Sequence, residues 1–158
     1  MNSIEYAYKA FCDEKFPLPT EEQVAALEEH LGIPLPKNYR QFLLEYNGGF
    51  FTEPDIVPPC EDCPLDRLTV LGGINAIHPS AELDSPEGFT PANFEDNDPP
   101  QILPIGYTLM GNMIFLVTEP GADDCGWICL KLASSEKSFL LGKEMEEFFA
   151  LLAPQNEN

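Results

Sequence analysis

Cys60-Glu-Asp-Cys63 and Cys125-Gly-Trp-Ile-Cys129 place four thiolates in two pairs, a ligand set that zinc accepts. The first pair has the two-residue spacing common in such sites, and the three-residue spacing of the second is tolerated. Against a metal, Cys129 falls inside an apolar run that reads as a strand, and the 125–129 spacing sets the two side chains well apart on one sheet face. The competing reading is small buried hydrophobes plus an exposed loop pair. As a redox motif Cys60–Cys63 lacks a following helix to lower a thiol pKa, because Pro64 and Asp66 keep the chain irregular. With Cys12 the cysteines number five, and no basic start with an apolar block precedes them, so a disulfide framework is not expected.

Other constellations are weaker. His30 and His78 are the only histidines, and neither has catalytic spacing. Glu95-Asp96-Asn97-Asp98 offers oxygens to calcium but lacks the glycine and closing glutamate of an EF-hand loop, and it reads as a solvated acidic loop. No nucleophile elbow, phosphate loop or dinucleotide motif is present. No catalytic residue and no cofactor are expected, and the chain reads as a non-enzyme.

Charge carries more information. The 158 residues hold 27 acids against 8 bases, a net charge of −19. No Lys or Arg occurs between Arg67 and Lys131, a stretch that includes Glu82, Asp84, Glu87, Glu95, Asp96, Asp98, Glu119, Asp123 and Asp124. Such a field repels nucleic acid and anionic membranes, and it attracts a basic protein. No apolar run is long enough to span a bilayer. The expected compartment is the cytoplasm.

The elements follow from periodicity. Ile4, Ala7, Tyr8 and Phe11 predict an amphipathic helix over 4–15. Thr20-Glu-Glu-Gln23 is a capping box, with Val24, Leu27 and Leu31 lining the helix it opens. Gly32 suits the left-handed position past that helix. Pro34 and Pro36 extend the connector, and Pro36 suits the first turn of a third helix from Lys37 to Tyr46 that carries Tyr39, Phe42, Leu43 and Tyr46. Asn47-Gly48-Gly49 stops it.

After Phe50-Phe51, residues 53–66 and 79–100 are loops rich in Pro, Asp and Glu. Leu68–Leu71 reads as a strand that Gly72-Gly73 breaks. Met113–Val117 and Trp127–Leu132, joined by a Gly/Pro/Asp turn, predict an antiparallel hairpin. Ser138–Leu141 predicts a last strand and Glu144–Leu152 a closing helix. Helices, then strands, then a helix point to an α+β fold, with helices at both ends packed on a mostly antiparallel sheet of about five to six strands. One domain is expected over 1–158, with its core at about 18–152.

The segment Gly32-Ile-Pro-Leu-Pro36, followed by Tyr39, Arg40, Phe42, Leu43 and Asn47-Gly48-Gly49, resembles the signature of the SUKH superfamily. That group joins fungal Smi/Knr-type cell-wall regulators with bacterial immunity proteins. Leu103-Pro-Ile-Gly106, Gly111-Asn112 and Gly126-Trp-Ile128 also fit its later strands and turns, and the likeness spans roughly residues 18–152. The resemblance implies a protein-binding module, many of whose relatives neutralise a toxin encoded beside them. The motif residues are mostly architectural in that family, so none is carried over as a binding residue.

The expectation is therefore stoichiometric blocking of a basic, nuclease-type toxin. A regulatory scaffold of the Smi/Knr type is the alternative, and a zinc-binding or enzymatic module is a further one. The acids expected to face the partner are Glu53, Asp55, Glu61, Asp62, Glu82, Asp84, Glu87, Glu95, Asp96 and Asp98. Trp127 and Phe50-Phe51 are possible aromatic anchors.

Overall fold

In the computed structural model, the described residues are 2–14, 17–51, 55–56, 71–74, 76–77, 83–84, 102–108, 111–119, 121–131 and 138–153. Helix α1 (Ser3–Phe11) opens where the Asn2 side chain accepts the Glu5 N–H at 2.8 Å. It is shorter than its periodicity suggests. At Cys12 the backbone turns extended, and Cys12–Glu14 forms strand β1, whose polar groups pair with a neighbouring strand instead of continuing the helix.

Helix α2 (Glu21–Leu31) carries the predicted capping box with both of its hydrogen bonds. It ends on Gly32 at φ 77°, a left-handed conformation that costs a residue with a Cβ. Pro36 is the residue just before helix α3 (Lys37–Glu45), one place earlier than the first turn. The stop after α3 is left-handed at three successive residues: Asn47 (φ 54°), Gly48 (φ 71°) and Gly49 (φ 146°). Asn47 tolerates this because its side chain is fixed, its Nδ2 donating to the Pro17 carbonyl at 2.8 Å.

The remaining elements are β2 (Gly49–Phe51), β3 (Asp55–Ile56), β4 (Leu71–Ile74), β5 (Ala76–Ile77), β6 (Leu83–Asp84), β7 (Ile102–Thr108), β8 (Met113–Val117), β9 (Ile128–Lys131), β10 (Ser138–Gly142), α4 (Met145–Phe149) and β11 (Leu152–Ala153). Seven strands form one sheet in the order β1-β2-β4-β7-β8-β9-β10, with every neighbouring pair antiparallel. β3–β11 and β5–β6 are separate two-stranded pairs. The α+β class and the helices at both ends hold as expected, and the main sheet is wider than five to six strands.

Two boundaries differ for physical reasons. Gly72-Gly73 does not break a strand but lies within β4, whose register against β7 shifts between Leu71 and Gly73. Glycine inside a strand is the residue for such an irregularity. At the other end α4 stops at Phe149, and Leu152 leaves it to pair with Ile56. The predicted hairpin is β8–β9, in the register Met113↔Lys131, Ile114↔Leu130, Phe115↔Cys129 and Leu116↔Ile128.

One face of the sheet is covered by helices. Leu103, Ile105, Ile114, Leu116, Ile128 and Leu130 are fully buried there, in one cluster with Val24, Leu27, Phe42, Leu43, Phe148 and Phe149. Ile33, Leu35 and Tyr39 of the connector and α3 join this core, with Tyr46 packed against it. Tyr8 is the hub of the aromatic packing, with ring centroids 4.7 Å from Tyr46 and 5.3 Å, edge-on, from Phe51.

Candidate protein-binding surface

The signature segment is held by polar contacts that look inward. One oxygen of the Glu28 carboxylate accepts the Leu35 N–H at 2.7 Å, and the other accepts from Arg40 Nε at 3.0 Å. Arg40 also reaches Glu21 at 2.8 Å, and these carboxylates hold its guanidinium protonated more firmly than usual. Asn38 accepts the Met145 N–H at 2.9 Å and so caps α4 from 107 residues away in the chain. The Tyr8 hydroxyl donates to the Gly48 carbonyl at 2.8 Å. Arg40 and the Asn47-Gly48-Gly49 stop therefore serve architecture, as the family resemblance implies.

Of the ten acids expected to face a partner, Asp55 lies in β3 opposite Ala153 and Asp84 in β6 opposite Ala76. These are different strand pairs, and the second runs beside α2. Glu53, Glu61, Asp62, Glu82, Glu87, Glu95, Asp96 and Asp98 lie outside the described residues, as does the whole 85–101 loop. Of the zinc candidates, Cys60 and Cys63 also lie outside them. Cys125 is exposed in the β8–β9 turn, and Cys129 is half-buried within β9. Burial, with Asp124 adding to it, pushes the Cys129 thiol up to about 11, so it is a poor thiolate ligand at neutral pH. Among the described residues, no group of three or more His, Cys, Asp or Glu is placed to hold a metal.

Two surface features were not singled out from the sequence. On the helix layer, Glu5 of α1, Glu45 of α3 and Glu146 of α4 lie close enough to Tyr46 to raise its hydroxyl pKa, although partial burial is the larger cause. All three glutamates are exposed. Residues distant in the chain meet here only because three helices pack together, and no local pattern announces that.

The second feature is the sheet face opposite the helices. Strand pairing aligns Pro104, Phe115, Cys129 and Leu140 in one cross-strand row. Ile102 and Val117 begin the adjacent row. The Val117 N–H donates to the Trp127 carbonyl at 3.0 Å, which sets Trp127 beside Val117, and Lys143 Nζ lies 5.0 Å from the centre of the indole ring. Phe115 and Val117 are only 7% and 8% exposed but stand apart from the main core. Of the aromatic anchors, Trp127 is half-buried, whereas Phe51 belongs to the core. The signal for this face was Met113–Val117 itself: an uninterrupted apolar run puts apolar side chains on both faces of its strand.

The β8–β9 turn ends this face. Gly126 N–H closes onto the Val117 carbonyl at 2.7 Å, and a Cβ on Gly126 would touch Pro36 at 3.4 Å, so the turn rests on the signature connector. Glu119 and Asp123 stand exposed on it. Apolar rows beside exposed carboxylates are the chemistry of association. Among the described residues, no helix is long and apolar enough to cross a membrane.

A model of the SMI1/KNR4 family (SUKH-1) matches residues 18–151. No curated protein and no solved structure matches the chain. The match begins after α1 and β1, although Ile4, Ala7, Tyr8 and Phe11 of α1 sit in the same core as the matched region.

Proposed function

We propose that this chain, which belongs to the SMI1/KNR4 family (SUKH-1), is a protein-binding module that neutralises a basic toxin by occupying it stoichiometrically. The observation that carries the reading is the coincidence of that family with a net charge of −19. A nuclease toxin needs basic residues to hold phosphates, and an acidic blocker meets that surface with favourable steering. The acids of 53–62 and 82–98, Glu53, Asp55, Glu61, Asp62, Glu82, Asp84, Glu87, Glu95, Asp96 and Asp98, supply the long-range field. Close contact falls to apolar and aromatic side chains, which dominate binding energy once charges have brought partners together.

Glu28 and Arg40, which carry the polar chemistry of the signature, are engaged with each other and with the backbone. This supports a mechanism of binding without bond-making. The test is calorimetric titration of the full chain against the C-terminal domain of the polypeptide encoded beside its gene. A saturable one-to-one complex that abolishes the domain's toxicity is the expected result. An absence of heat and of protection would refute the toxin reading.

A further inference from the structure

We propose that Asn47-Gly48 is a deamidation site that the fold seals: it reacts only when the chain opens, and its product then keeps the open chain from folding back. The inference concerns the lifetime of the folded module and is independent of what the module binds.

Asn47 is the only asparagine of the chain followed by glycine. With no side chain on Gly48, nothing hinders the approach of its backbone nitrogen to the Asn47 side-chain amide in an open chain. The Gly48 nitrogen gives its proton to hydroxide and bonds to Asn47 Cγ. The Cγ–Nδ2 bond breaks, and ammonia leaves with a proton taken from water, which regenerates the hydroxide. Water then opens the cyclic imide at one or other carbonyl, giving aspartate or isoaspartate.

The folded chain blocks each of these steps. Asn47 is 1% exposed, and Gly48 and Gly49 are buried with it, which keeps water and hydroxide from the amide. Asn47 Nδ2 donates to the Pro17 carbonyl at 2.8 Å, so the leaving group is tied to a segment 30 residues away. The Tyr8 hydroxyl holds the Gly48 carbonyl at 2.8 Å, on the other side of the nitrogen that would attack. Packing fixes the backbone at φ 54° and 71° and denies it the rotation that ring closure needs.

The product does not fit the site it came from. Aspartate at position 47 turns a donor to the Pro17 carbonyl into a buried carboxylate facing an acceptor. Isoaspartate also adds a methylene to the main chain inside the left-handed stop that follows α3. Opening at this stop thereby becomes irreversible.

The test is peptide mapping by mass spectrometry of the full chain held in mildly alkaline buffer, in urea just below the unfolding midpoint, and in urea well above it. Asn47 should stay intact in buffer and convert to aspartate and isoaspartate in strong urea. Just below the midpoint, Tyr8→Phe should convert about fivefold faster than wild type, because the reaction follows the open fraction. Tyr39→Phe should not convert faster. Conversion in buffer as fast as in strong urea would overturn the seal, and no conversion in strong urea would overturn the site. A Tyr8→Phe rate equal to wild type would overturn the dependence on opening. Asn47→Asp supplies the product directly: it should unfold at lower urea than wild type or fail to fold, and an unchanged midpoint would overturn the irreversible step.

Discussion

Glu28 holds Arg40 with one carboxylate oxygen and the Leu35 backbone N–H with the other, at 3.0 and 2.7 Å. One side chain on α2 thus fixes both the connector and the start of α3. Glu28→Ala leaves the Leu35 N–H without its acceptor and should cost about 1–2 kcal/mol. Glu21, whose side chain is 69% exposed, also meets Arg40. Glu21→Ala should stay within about 0.5 kcal/mol of wild type. Urea denaturation of the two variants checks the contrast.

Two buried tyrosines should respond differently to loss of a hydroxyl. Tyr8 donates to the Gly48 carbonyl at 2.8 Å, whereas the hydroxyl of Tyr39, a residue only 1% exposed, has no hydrogen-bond partner among the described residues. Tyr8→Phe should lose about 1 kcal/mol. Tyr39→Phe should be neutral or stabilising, because it removes a desolvated hydroxyl that gains nothing in return. Equal losses in the two thermal melts would contradict this.

The junction of β10 and α4 tolerates little change. A Cβ on Gly142 would come within 2.9 Å of the Phe148 backbone nitrogen and of Glu147 Cβ. Gly142→Ala should destabilise by about 1–3 kcal/mol through overpacking. Asn38→Ala removes the acceptor for the Met145 N–H and should cost about 1 kcal/mol. Hydrogen exchange should locate the second loss in α4.

Stability should fall in alkali. Burial raises the Cys129 thiol from 9.0 to about 11 and raises the Tyr8 and Tyr39 hydroxyls above their ordinary 10.0. These groups are neutral when protonated, and the unfolded chain releases their protons first. Their contribution is therefore complete below about pH 9 and is lost as pH climbs toward the folded values. The urea midpoint should drop steadily between pH 9 and pH 11. A flat profile over that range would contradict the assignment.

Much of the helical part was legible in the chain because its signals are local. Thr20 and Gln23 form the capping box that their spacing announces, and Gly32 takes the left-handed conformation it was assigned. Apolar runs and turn chemistry likewise located β8 and β9 to within a residue or two. What escaped depends on distant partners. Gly72-Gly73 reads as a break until β2 and β7 flank it, and the cap that Asn38 gives α4 spans most of the chain. The grouping of Glu5, Glu45 and Glu146 around Tyr46 exists only in the packed state. The acids expected to face a partner were chosen by charge alone, and charge has no periodicity that assigns a face.

The central claim is that an acidic module steers a basic protein into a blocking complex. It is tested most directly by stopped-flow association of the chain with the neighbour-encoded toxin domain across a range of salt concentrations, beside a variant with Glu82, Asp84, Glu95 and Asp96 all changed to Lys. The account predicts a fast association that slows steeply as salt rises, with a variant that associates more slowly and depends less on salt. An on-rate that salt does not change, or a variant as fast as wild type in low salt, would contradict it.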